Sequence, residues 1–178
     1  TRPKLTQADQ QERLPDGSER PLQRRTLHLM AAEDGTAPVD LNAWERQVLD
    51  SEAAEPSFRG WYRNPSRASK QSLAIPFQDG AGQWQALRPD FVFFHANQDG
   101  TIRADIVDPH GTHLADALPK LRGLAEYAQA HGDAFGRIEA VAEIDGQLRV
   151  LDMKNDVVQA GVHAAQDAES LYKAAPAY

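Results

Sequence analysis

With 178 residues the chain is long enough for one domain with a sizeable core, and 41 % hydrophobic against 25 % charged residues is an ordinary globular balance. The absence of Cys excludes disulfides and thiolate metal sites, no secretory signal opens the chain, and no apolar run approaches the ~18 residues of a membrane span. A net charge of −7 argues against strong autonomous binding to DNA, although a site that gathers divalent metal also gathers carboxylates. A cytoplasmic setting is the expectation. Because the chain opens on Thr1 rather than Met, it is expected to be an excised part of something longer.

Residues 1–25 are polar, carry Pro3, Pro15, Gly17 and Pro21, and show no sustained periodicity, so they read as a linker or irregular lead-in before a domain spanning 26–178. Thr26 to Met30 is a short strand candidate that can join the main sheet as an extra edge. Asp40 to Leu49 has helical spacing, with Leu41, Trp44, Val48 and Leu49 on one stripe. Asn42 stands three residues before Glu45, the spacing of a capping box. From Ser57 to Phe77 there is no acidic residue, while Arg59, Arg63, Arg67 and Lys70 alternate with Trp61 and Tyr62. The plain reading is a solvated loop; the sharper one is a surface that tracks phosphates. Ser72 to Phe77 and Gln83 to Leu87 read as strands leading into a third, which predicts an antiparallel meander.

That third strand, Phe91 to Phe94, forms a hairpin with Ile102 to Val107, because Asn97-Gln98-Asp99-Gly100 supplies the residues that tolerate a reversal. A turn centred there sets Asp90 beside Asp108. Asp108 and His110 are two apart and share a face of an extended chain. Two carboxylates and an imidazole therefore converge at one sheet edge, which suits Mg²⁺ or Mn²⁺. Further on, Leu114, Leu118, Leu121, Leu124, Ala125 and Ala128 predict a helix ending near Gly132, with Lys120 in its first turn beside Pro119. Arg137 to Ile144 and Gln147 to Leu151 predict a second hairpin across Asp145-Gly146. Asn155 is placed to cap a last helix running to about Lys173.

Pro89-Asp90, a hairpin of about twenty residues, then Asp108-Pro109-His110 resembles the PD-(D/E)XK nuclease superfamily, and in particular the C-terminal nuclease domain of type III restriction subunits and related helicase-nuclease defence proteins. The likeness runs from about Leu27 to Leu151, with His110 standing where the family has Lys. It implies an α/β restriction-endonuclease-like αβββαβ core, a mixed central sheet flanked by helices. The implied activity is Mg²⁺- or Mn²⁺-dependent hydrolysis of DNA phosphodiesters, in concert with a helicase or ATPase region that this chain, lacking a P-loop, does not contain. Asp90, Asp108 and the Pro109 carbonyl would be the metal ligands. Glu45 would match the acidic residue of the first helix, with Glu52 and Asp50 as weaker candidates. His110 and Lys120 would complete the catalytic set, and Arg59, Arg63, Arg67 and Lys70 would contact DNA.

Three other readings remain beside it. Asp108, His110 and His113 can form a transition-metal site, and the same segment can be an ordinary Pro-containing turn. A nuclease fold that has lost cleavage would bind DNA or a partner subunit without cutting.

Overall fold

The computed structural model describes residues 11–13 and 17–178. The remainder of the expected lead-in, residues 1–10 and 14–16, lies outside the described residues. Within the lead-in, β1 (Gln11–Arg13) pairs antiparallel with β2 (Glu19–Pro21), and β3 (Gln23–Thr26) pairs with β4 (Thr36–Val39). The expected strand at 26–30 shrinks to a single bridge between His28 and Trp61, flanked by Leu29 N–H to Trp61 O (2.8 Å) and Trp61 N–H to Leu27 O (3.0 Å). Leu27 adopts φ 59°, which breaks the strand just before that bridge.

Helix α1 (Ala43–Ala53) starts where the capping box predicts. Asn42 Oδ1 accepts from Glu45 N–H at 3.0 Å, and Glu45 Oε2 accepts from Asn42 N–H at 2.8 Å. The next element corrects the sequence reading. Phe58–Arg63, expected as a basic loop, is a strand (β5) with Gly60 and Trp61 buried. Strands β6 (Ile75–Gln78) and β7 (Trp84–Leu87) form a separate hairpin instead of continuing into the main sheet. The break falls at Arg88-Pro89-Asp90, where Pro89 has no N–H to give to a continuing ladder. The hairpin packs on α2 (Ala117–His131) instead, and a Cβ added at Gly123 would collide with Phe77 Cβ.

The main sheet has five strands in the order β11-β10-β9-β8-β5. Its members are β5, β8 (Phe91–Ala96), β9 (Ile102–Pro109), β10 (Ile138–Ile144) and β11 (Gln147–Asp152). Only β9 and β10 run parallel, and α2 makes the crossover between them. The other pairs are antiparallel. The β10–β11 turn is the two-residue one expected, with Asp145 at φ 52° and Gly146 at φ 78°.

One face of the sheet packs Phe91, Phe93, Val107 and Val141 against Val48 and Leu49 of α1. The other packs Ile106, Ile138 and Ala140 against Leu121, Leu124 and Ala128 of α2. Covered on both faces, central β9 is buried from Asp105 to Pro109. The single last helix expected is two, α3 (Asp156–Ala164) and α4 (Ala168–Lys173), because Asp167 caps a new start by accepting from Ser170 N–H at 2.8 Å. Tyr172 of α4 is wholly buried. Among the described residues no helix is long and apolar enough to cross a membrane.

Candidate functional site

The β8–β9 register sets Phe91 opposite Val107, which brings Asp90 alongside Asp108. The contact is direct: Asp90 N–H donates to Asp108 Oδ1 at 3.0 Å. Asp108 Oδ2 lies 3.2 Å from His110 Nδ1, as two residues on one face of an extended chain should. Pro109 closes β9 as the last register pair of the parallel ladder, opposite Val141, so its missing N–H falls at the strand end. Asp90, Asp108, Pro109, His110 and Lys120 line one cleft of about 240 Å³ with Ser66, Ala86, Leu87 and Arg88. Lys120 reaches it from the first turn of α2, where its ammonium pairs with Asp116 at 2.8 Å.

Glu45 is near the cleft without lining it. Its Oε1 accepts from Arg63 Nη2 at 2.7 Å, and Arg63 Nη1 pairs in turn with the Asp90 carboxylate. Arg63 also donates to Asp90 O at 3.0 Å and lies over the Phe91 ring at 5.2 Å. It is thus turned inward, where the basic stretch was expected to face DNA. Arg59 is spent on its own turn, donating to Pro56 O (2.9 Å) and Phe58 O (2.7 Å). Arg67 and Lys70 are exposed on the loop of residues 64–74, whose Ser66 touches the cleft. Glu52 and Asp50 point elsewhere: Glu52 joins His95 and Arg137 in a buried network, and Asp50 pairs with Arg25.

The electrostatics of the cleft are unbalanced. Burial pushes the Asp90 carboxyl up to about 7; Arg63 pulls against this, while Asp108 and Glu45 add to it. Burial also opposes a charged His110, but its hydrogen bond to Asp108 and the Asp108 charge prevail and raise its pKa. His110 Nε2 is buried with no hydrogen-bond partner among the described residues. Its ring edge meets Tyr172, centroids 6.3 Å apart.

Mg²⁺ needs one or two carboxylates, with waters and substrate oxygens completing its shell. Two adjacent carboxyl groups in an open cleft fit that count, and Pro109 lines the same cleft; at Asp90 a proton competes with the ion. A larger cage is not assembled. Among the described residues no group of three or more His, Asp or Glu is arranged to hold a metal ion. His113 is exposed on the following turn, outside the residues lining the cleft, so the Asp108–His110–His113 set is not drawn together.

Two residues escape the sequence reading, one that holds the loop beside the cleft and one that lines it. Asn64 is buried and pins the loop, donating from Nδ2 to Leu73 O (2.9 Å) and accepting from Leu73 N–H (2.8 Å). No periodicity marks such a residue. Arg88 had a signal, its place directly before Pro89-Asp90, but no role was attached to it.

Fold and site together define a mixed α/β protein with an acidic pair and neighbouring cations at the end of its central strands. The chain belongs to the YagJ family, whose profile matches residues 26–178. Protein YagJ of Escherichia coli (strain K12) is 51 % identical over 145 residues, covering 82 % of this chain and 59 % of its own length. The chain thus spans less than two thirds of that relative. No solved structure matches.

Proposed function

We propose that this chain is the nuclease domain of a metal-dependent DNA endonuclease, working beside a helicase or ATPase region in bacterial restriction or phage defence, in the cytoplasm. The observation that carries the reading is the direct approach of Asp90 and Asp108 from adjacent strands, with His110 and Lys120 in the same cleft. The succession α1, β5, β8, β9, α2, β10 supports a restriction-endonuclease-like αβββαβ core around it.

In this reading Asp90 and Asp108 hold Mg²⁺ or Mn²⁺ with the Pro109 carbonyl. When bound, the ion lowers the pKa of a water and offsets charge growing on the attacked phosphate. His110, oriented by Asp108, places positive charge or a proton acceptor against that phosphate. Lys120 contributes charge from α2. Glu45 acts at one remove, by fixing Arg63 against Asp90. Arg67 and Lys70 contact the DNA backbone.

One observation favours a second reading, a nuclease fold that binds DNA or a partner without cutting. Arg63 already pairs with Asp90 and so competes for the carboxylate that a metal needs. Nicking of supercoiled plasmid with Mg²⁺ or Mn²⁺, by wild type and Asp108→Ala, separates the two. Metal-dependent nicking lost in Asp108→Ala is the expected result. Absence of nicking by wild type, even joined to its motor, leaves the binding reading.

A further inference from the structure

The cleft contains a donor that no described residue uses. Arg88 Nε is buried and has no hydrogen-bond partner, and among the described residues no carboxylate pairs with its guanidinium. Its one hydrogen bond is long, Nη1 to Ala86 O at 3.4 Å. A guanidinium stays charged at any pH the protein meets, so Nε cannot escape by losing its proton. Leaving such a donor dry is unfavourable unless an acceptor arrives. Two arginines that reach inward hold anions, Arg63 with Glu45 and Asp90 and Arg137 with Glu52 and Asp105; Arg149, whose Nε is likewise buried without a partner among the described residues, donates to Ala175 O and Gln147 Oε1 away from this cleft.

Position limits what the acceptor can be. Arg88 lines the same cleft as Asp90, Asp108, His110 and Lys120. The start of β8, Phe91, lies three residues on, behind Pro89. Lys120 stands on the α2 wall of the cleft, with three donors and a single ion-pair partner. Asp90 has its own counter-charge in Arg63 and does not reach for Arg88. The planar fork of a guanidinium matches two oxygens of a tetrahedral oxyanion, and a lysine beside it adds a point charge.

We infer that Arg88 and Lys120 form a phosphate seat in this cleft, with Arg88 the residue that grips a phosphodiester oxygen of the substrate and holds the strand against Asp90 and Asp108. The identity of the ligand as a phosphodiester rests on the nuclease reading; the anion seat itself does not.

The test uses inorganic phosphate without divalent metal, followed by ³¹P line broadening and by thermal melting, on wild type, Arg88→Met and Arg88→Lys. Wild type should bind phosphate, and Arg88→Met should weaken it about tenfold or more, the loss of one charge-assisted pair. Arg88→Lys should fall between, since it keeps charge but not the fork. Without phosphate, Arg88→Met should melt no lower than wild type, because it removes an Nε that has no acceptor and loses only the long bond to Ala86 O. Equal phosphate affinity in wild type and Arg88→Met overturns the inference, as does failure of wild type to bind. A lower melting temperature in Arg88→Met with unchanged phosphate binding assigns Arg88 a structural role instead. Plasmid nicking reads the nuclease proposal separately: cleavage without an Arg88 effect sinks only the seat, and an Arg88-dependent seat without cleavage sinks only the nuclease.

Discussion

At the residue scale His110 carries the most weight, because it stands where the resembled family has Lys. Asp108 holds the imidazole by Nδ1 and leaves Nε2 buried without a partner, which is how an acid or base is aimed before its substrate arrives. His110→Ala should lower nicking roughly a hundredfold while leaving the fold intact, the usual scale for a positioned acid or base. His110→Lys, which restores the family motif, should keep or raise Mg²⁺-dependent cutting. Plasmid nicking by the three forms, with circular dichroism as the folding control, decides it; an Ala variant as fast as wild type removes His110 from the chemistry. The metal pair is tested by calorimetry. Asp108→Ala should lose Mn²⁺ binding, and equal heats in both forms would end the two-carboxylate site.

At the scale of elements, the four cations of the basic stretch divide into two kinds, and their mutants should behave differently. Arg63 sits at the end of β5 between two carboxylates, so Arg63→Ala leaves Glu45 and Asp90 facing each other unpaired. It should cost on the order of 3 kcal/mol in urea unfolding. Among the described residues Arg67 and Lys70, both exposed, pair with no anion, so their double Ala variant should melt like wild type and flatten the salt dependence of duplex binding by about two phosphate contacts. A double variant with unchanged affinity and salt slope would make the loop a mere connector. This division was not legible in the sequence. The charge pattern of Phe58-Arg59-Gly60-Trp61-Tyr62-Arg63 conceals a strand whose buried members are a glycine and a tryptophan, and no local rule says that Arg63 turns inward. By contrast, the Asn42–Glu45 capping box, the Asp145-Gly146 turn and the approach of Asp90 to Asp108 were all readable, because each depends on near neighbours or on turn-fixed register. The separate β6–β7 hairpin was not. Its placement depends on Gly123 admitting Phe77, a contact between residues 46 positions apart.

At the scale of the whole molecule, the far end of the sheet is held by a second polar cluster that joins segments remote in sequence. Glu52 of α1 accepts from Arg137 at 2.7 Å, meets His95 of β8 at 2.8 Å and binds the Tyr178 hydroxyl, while Arg137 also reaches Asp105 at 2.9 Å and Glu139 at 3.3 Å. One guanidinium thus serves three carboxylates, and Glu139 has the longest bond to it. Burial pushes the Glu139 carboxyl from the ordinary 4.5 up to about 7; Arg137 opposes this, and Glu52, Asp152 and Asp105 reinforce it. Between those two values the folded protein keeps a proton that the unfolded chain has lost, so stability falls as pH rises through the window. Glu139→Gln removes the penalty. The variant should match wild type at about pH 4 and exceed it by on the order of 2 kcal/mol at about pH 8. Glu52 works in the opposite direction: although burial alone would raise its pKa, Arg137, Tyr178 and His95 together hold it below its ordinary value, so its contribution is lost towards acid in both proteins and cancels in the difference. Urea unfolding of the pair across that range is the measurement. A difference that does not grow with pH would mean that Glu139 is ionised in the fold at no cost, with Arg137 sufficient for all three carboxylates.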